Sequence, residues 1–416
     1  MEPETLYLNA EESARALGVS IATLYAYVSR KMVRSERVEG SRSRKYWKAD
    51  IDRLSGRLTP SVPGLSQAAL VSESAITLIT ENGLFFRGHD AIALSQHASV
   101  ESLAALLWQA DESTLFASPV AAPPQSWSHL QTTLSALSVP ERVLAVFPLI
   151  ERANPRTYDL SPAGFVRTAV DVLRWYATLL VNASRPCAEP LHLYVAKALK
   201  APSGFEETIR QLLVLAADHE FDPITYAVRA TANVGVTPYQ AVITGLIASQ
   251  GQRFQAERSA PAMRFLEEIL GSKDGHAVVV RRLRSGETLP GFGGDSSHPD
   301  PRTGAIMHSI EQVLHGDRAL RRLQEAQRTA LEASSSSMDF IIPALFIGHR
   351  LGLRGDELTL SGLGRLVGWI AHAMEQFHGH EFIRPRATYV GPLPPDAKSH
   401  GVGNSSHRKA KRPPKR

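Results

Sequence analysis

From about residue 67 to 395 the chain repeats one pattern: amphipathic stretches of helical length, with little that reads as a strand. Residues 163–182, 206–218, 224–233 and 237–250 each space their apolar side chains at three and four residues, the period of a helix face turned toward a core. Strand signal is confined to residues 75–80 and Leu84-Phe85-Phe86-Arg87-Gly88, the best hairpin candidate. Residues 111–126 contain Pro119, Pro123 and Pro124 and read as a surface loop. No solenoid-type repeat is present. A mainly α fold is expected, and 416 residues are enough for two or three domains around a large core.

The N-terminal segment differs in character. Asn9 is placed to cap a helix, with Glu12 three residues on to close a capping box. That helix stops at Gly18, and Ser20 caps a second one carrying Thr23, Leu24, Tyr25, Tyr27 and Val28. Two short helices joined by a tight turn make a helix-turn-helix layout. Val33, a polar stretch around Gly40 and Lys45-Tyr46-Trp47 then read as a two-stranded wing, with a closing helix starting at Asp50. Gly56, Pro60, Pro63 and Gly64 mark a linker over 56–66.

Charge is unevenly spread. The formal net charge is +5, yet residues 396–416 hold seven lysines and arginines against the single acid Asp396. Without the stretch after Asp396 the chain sums to −2. That tail is expected to be a disordered basic arm. Arg30, Lys31, Arg34, Arg37, Arg42, Arg44, Lys45 and Lys48 crowd the second half of the N-terminal segment, opposed by Glu36 and Glu39. Cys187 is the single cysteine, so a disulfide framework is excluded and a cytoplasmic setting is expected. No apolar run approaches the roughly 18 residues of a membrane span, and the acidic start Met1-Glu2-Pro3-Glu4 does not read as a signal peptide. The histidines show no metal-ligand spacing, so no metal site is expected; His378 and His380 flank Gly379 and read as a loop.

The run from Leu8 to Val28 resembles the start of the MerR and excisionase type of winged helix-turn-helix. That resemblance implies DNA contact by Thr23 and Tyr25 on the second helix and by Arg42, Arg44 and Lys45 on the wing. The second helix carries no Arg, Lys, Asn or Gln suited to bidentate base reading, so a docking or oligomerisation role stays open beside the DNA role.

Downstream boxes carry a second resemblance. Arg87-Gly88-His89-Asp90, Leu215-Ala216-Ala217-Asp218-His219-Glu220, Pro290-Gly291-Phe292-Gly293 with Asp300-Pro301-Arg302, Met338-Asp339-Phe340, and Gly364-Arg365-Leu366-Val367-Gly368-Trp369 with Ile383-Arg384-Pro385-Arg386 occur in the order and spacing of the citrate synthase family. The resemblance implies an all-helical two-domain fold. Residues 67–254 and 351–395 would form the large domain and 255–350 the small one, behind a winged helix-turn-helix at 1–55. It implies condensation of acetyl-CoA or propionyl-CoA, as co-substrate, with oxaloacetate to citrate or its methyl homologue, no resident cofactor, and a homodimer. By the same resemblance Asp339 matches the base. His219, Arg302, Arg365 and Arg384 match the oxaloacetate-binding groups, Arg384 reaching the neighbouring subunit.

Two catalytic histidines do not carry over. The family's enolate-stabilising histidine falls at Phe254, in Gly251-Gln252-Arg253-Phe254, and its ketone-polarising histidine at Gly294. His298, four residues on beside Pro299, reads as a loop histidine. A thioester α-proton is so weakly acidic that a carboxylate base needs its enolate stabilised as it forms, and a phenyl ring donates no hydrogen bond. The expectation is a catalytically impaired relative that keeps a di- or tricarboxylate site for oxaloacetate or citrate and regulates through DNA. An active citrate or 2-methylcitrate synthase with a rearranged site, and an inactive partner of an active paralogue, are the alternatives.

Overall fold

A 20-residue helix, Thr359–His378, is the element around which the rest packs. In this computed structural model the described residues are 7–30, 32–37, 43–55, 73–80, 83–117, 119, 121–124, 127–295, 299–379 and 382–383. Arg42, His298, Arg384, the linker 56–66 and the tail 396–416 lie outside them.

Helices Val100–Trp108, Pro162–Leu180, Phe205–Leu215, Pro223–Ala232 and Pro238–Ser249 all pack on Thr359–His378. Two of them are buried nearly all round: every residue from Thr168 to Leu180 and from Thr208 to Leu215 is buried, as expected of helices inside a large core. The sequence-derived helices are found within one to three residues of the expected ends. Phe205–Leu215 stops three residues early, with Ala216 as its cap.

Thr359–His378 approaches Phe205–Leu215 closely through Gly364 and Gly368. A Cβ on Gly364 would lie 2.2 Å from the Leu213 carbonyl oxygen, and one on Gly368 would lie 2.1 Å from that of Ala217. Only glycine permits this backbone contact. It brings Arg365, between the two glycines, beside Asp218.

The expected hairpin is present as Thr77–Thr80 paired antiparallel with Gly83–Phe86, to which His89–Asp90 adds a short third strand. The 111–126 loop contains one helical turn, Glu112–Leu115, capped by Asp111. His378 is not in a loop. It ends the long helix and stacks edge-on against Phe165 and Phe377.

A second group of helices, Ala260–Gly271, Gly275–Arg284, Pro301–Val313, Arg318–Ser334 and Ile341–Arg350, follows in the chain. Between its members the Leu289–Gly293 bend is held against the start of Ile341–Arg350. Gly291 has φ +80, its carbonyl accepts from the Asp339 amide (2.9 Å), and a Cβ there would meet Ile342 Cδ1 at 2.5 Å. Gly294–Asp295 pairs antiparallel with Ser336–Ser337.

At the N-terminus, helices Ala10–Leu17, Ile21–Ser29 and Lys48–Ser55 pack with a three-stranded sheet of Tyr7–Leu8, Arg44–Trp47 and Ser35–Arg37, in that spatial order. The Asn9–Glu12 capping box closes in both directions (2.8 and 2.9 Å), and Gly18 takes the left-handed cap at φ 66. Leu24, Val33, Tyr46 and Ile51 form a small core of their own. Arg34 is committed to this fold: its Nε and Nη2 grip the buried Asp50 at 3.0 and 3.1 Å.

Candidate active site

Asp218-His219-Glu220 leaves the end of Phe205–Leu215 and turns into Asp222, which caps helix Pro223–Ala232. Asp218 is fully buried. Its Oδ2 accepts from Thr77 Oγ1 (2.5 Å), His372 Nε2 (3.2 Å) and the Glu220 amide (3.1 Å), and its Oδ1 faces Arg365 Nη1 at 3.3 Å. Burial alone would raise this carboxyl. The Arg365 charge and the hydrogen bonds from His372 and Thr77 override it and hold Asp218 ionised, well below the usual carboxylate range.

His372 is the link to a second buried cation. Arg229 Nη1 donates to His372 Nδ1 (3.2 Å) and to Glu375 Oε2 (2.6 Å), and its guanidinium lies over the Phe221 ring at 4.8 Å. Arginine can only donate, which assigns Nδ1 as the acceptor and Nε2–H as the donor to Asp218. The sequence reading set His372 aside. Its signal was there, since Arg365, Gly368 and His372 fall at i, i+3 and i+7 on one face of one helix.

His219 keeps one side exposed to solvent and is strongly desolvated on the others, as a side chain lining a cleft would be. Burial, then the Arg302 charge, pushes the imidazole down from its ordinary 6.5 to about 4; Arg365 adds to the fall, while Asp300 and Asp218 oppose it. Solvent at the open side screens these charges, and a neutral ring at pH 7 follows from the direction alone. Neutral His219 offers one N–H and one lone pair.

The sign of the pH effect follows. The folded-state value lies below the unfolded one, so as pH drops from about 6.5 toward 4 the unfolded chain takes up the proton first and stability falls. In an NMR titration the His219 ring should show a midpoint well below 6.5, and His219→Gln should remove its share of the stability loss in that window. A midpoint at 6.5 or above would place the two guanidiniums too far away to matter.

Arg302 begins helix Pro301–Val313. Its Nε and Nη2 form a side-on pair with its own capping residue Asp300 (3.0 and 2.6 Å), and its guanidinium stacks over Phe340 at 4.5 Å. Burial would raise Asp300, and the hydrogen bonds and charge of Arg302 bring it below its ordinary value instead. Asp339, next to Phe340, is half-buried. Its Oδ2 lies 4.0 Å from where a Cβ on Gly293 would be. His219, Arg302, Arg365 and the Asp339 loop are thus linked residue to residue.

Phe254 stands apart from that chain of contacts. Gln252–Phe254 is a helical turn that runs through a five-residue π-helix, Gln255–Ser259, directly into Ala260–Gly271. Its ring packs against the core and beneath Arg258 (5.8 Å). Gly294 lies in the two-residue strand beside Ser337.

A family model described as the citrate synthase C-terminal domain matches residues 64–386. The chain belongs to the citrate synthase family. Citrate synthase 2 of Bacillus subtilis is 24% identical over 360 residues, 78% of this chain and 95% of the relative. The 2-methylcitrate synthase of Shewanella oneidensis is 28% identical over 203 residues, 47% of this chain and 53% of the relative. Among solved structures, the citrate synthase of Thermoplasma acidophilum, in ternary complex with carboxymethyl coenzyme A and oxaloacetate, matches with a TM-score of 0.63 at 17% identity, over 80% of this chain and 96% of that one. The Pyrobaculum aerophilum citrate synthase gives 0.64 at 16% identity, over 79% and 93%. The fold is that of the helical citrate synthases. Among the described residues no helix is long and apolar enough to cross a membrane, and no cluster of histidine, cysteine and acidic side chains forms a metal site.

Proposed function

We propose that the chain binds a small carboxylate in the cleft at His219, with oxaloacetate or citrate as the ligands its family implies, and condenses little or no acyl-CoA there. The observation carrying this reading is the end-on edge of Arg302, left open because Asp300 takes only its side-on edge, while Phe254 and Gly294 occupy the two positions where the family resemblance calls for a hydrogen-bond donor. Binding needs an open guanidinium edge; turnover also needs the donors. Arg384 belongs to the same proposed clamp and lies outside the described residues.

Thermal melting tests the binding. At a hundredfold excess over Kd a ligand stabilises by about 2.7 kcal/mol, a rise of several degrees. Oxaloacetate and citrate should each produce it in the parent and neither in Arg302→Ala. Equal melting points with and without either acid, in both proteins, would end the carboxylate reading.

The N-terminal unit fits a winged helix that contacts DNA, making the whole a ligand-responsive regulator. Arg37, Arg44 and Lys45 are exposed along its hairpin, where cations meet phosphates. The second helix turns Ile21, Ala22 and Tyr25 to solvent, Tyr25 at 53% exposure, while the Thr23 hydroxyl is engaged by Ser20 (2.9 Å). The expected mode is phosphate contact with weak base reading. A gel shift should show binding that falls steeply with salt and vanishes when residues 1–60 are deleted; retention by the deleted protein would refute it.

Two further parts of the reading rest on the family. A homodimer agrees with the exposed apolar Val234 and Ile247, at 73% and 59% exposure, after Pro223–Ala232 and within Pro238–Ser249. The second reading, an active citrate or 2-methylcitrate synthase using acetyl-CoA or propionyl-CoA with Asp339 as base, is favoured by the names of the relatives, one of them matched over 95% of its length.

A further inference from the structure

We infer that Asp222 decides how many carboxylates the cleft accepts, narrowing it toward acids with a single carboxylate beside a carbonyl, that is, 2-oxo monocarboxylic acids. The inference rests on the proposed carboxylate site and names its ligand class.

A guanidinium grips a carboxylate through two N–H groups, either end-on through Nη1 and Nη2 or side-on through Nε and Nη2. Both edges include Nη2. In Arg365 both Nη2 protons are taken: one by Asp222 Oδ2 at 2.8 Å, the other by Thr225 Oγ1 at 2.9 Å. Nη1 faces the buried Asp218 at 3.3 Å. Neither edge of Arg365 is left for a ligand. Arg302 differs. Asp300 occupies its side-on edge only, through Nε and Nη2, which leaves Nη1 and the second Nη2 proton unpartnered among the described residues. Between Arg302 and Arg365, one open fork remains for one carboxylate, and the neighbouring His219 can hydrogen-bond the adjacent carbonyl.

Asp222 has an ordinary duty as well, since its Oδ1 caps helix Pro223–Ala232 by accepting from the Thr225 amide (2.6 Å). Capping does not require its charge, because asparagine and serine cap equally well. The charge is what closes Arg365. Asp218, fully buried, is a permanent partner; the Asp222 side chain is 37% exposed and stands where a second ligand carboxylate would have to dock.

Titration calorimetry with oxaloacetate and pyruvate tests this on the full chain. The parent should bind pyruvate at least as tightly as oxaloacetate. Asp222→Asn, which keeps the cap, should tighten oxaloacetate by about tenfold and pyruvate by about twofold or less, with an unchanged melting point. Asp222→Ser should shift the preference the same way. A parent that already prefers oxaloacetate, or variants with an unchanged ratio, would overturn the role of Asp222 and leave the carboxylate site standing. If neither acid binds parent or variants, both readings fall.

Discussion

Asp218→Ala should destabilise the protein by about 3–5 kcal/mol, the usual cost of removing one partner from a buried ion pair. Asp218 is fully buried and lies between Arg365 and His372, with Thr77 from the distant hairpin and the Glu220 amide on the same oxygen. Alanine leaves the His372 N–H without its acceptor, takes from Arg365 Nη1 the carboxylate it faces, and opens a small cavity under the Gly368 contact. The melting midpoint should drop accordingly. Arg365→Ala should cost less when made on top of Asp218→Ala than when made alone, because no buried Asp218 charge is then left behind without its cation. A loss under about 1 kcal/mol would mean that water replaces the carboxylate, and the cluster would then not be the anchor its geometry suggests.

The second large effect is on rate. With oxaloacetate and acetyl-CoA or propionyl-CoA, CoA release should run at least about a thousandfold below a citrate synthase that keeps both histidines, assayed in parallel. One missing oxyanion donor costs about 10²- to 10³-fold. If Phe254 and Gly294 stand at both donor positions, as proposed, both donors are missing, though losses from groups that act together do not multiply. The backbone argues the same way. The segment carrying Phe254 continues helically through Gln255–Ser259 into the next helix, and the side chain at 254 is packed with Arg258. Turnover within about tenfold of the reference would establish the enzyme reading and leave Asp339 as a working base despite Phe254 and Gly294.

The sequence made the fold legible because helical period survives distant relationship: Pro162–Leu180 and Pro238–Ser249 are written in their apolar spacing, and the DHE and RLVGW boxes are local strings. The partners of the site residues were not legible. That Arg365 spends its Nη2 on Asp222 depends on the middle of one helix meeting the start of another 143 residues away in the chain, which pattern reading does not see. His372 is legible only as a spacing on one face with Arg365 and Gly368; its partners Asp218 and Arg229 are not. Arg34 shows the reverse error, a residue grouped with the wing cations that is spent on Asp50 instead.

The two glycines on Thr359–His378 have one more consequence. With Leu213 and Ala217 carbonyls pressed onto Gly364 and Gly368, that helix has no slack in which to slide or rotate, so the Arg365 backbone is a fixed mount. A lineage that builds its site on such a mount adjusts what the site recognises by swapping the short side chains that crowd the guanidinium, and leaves the frame untouched. Positions 222 and 225, at the first turn of the facing helix, are where variation among relatives of this chain should track the acids they hold.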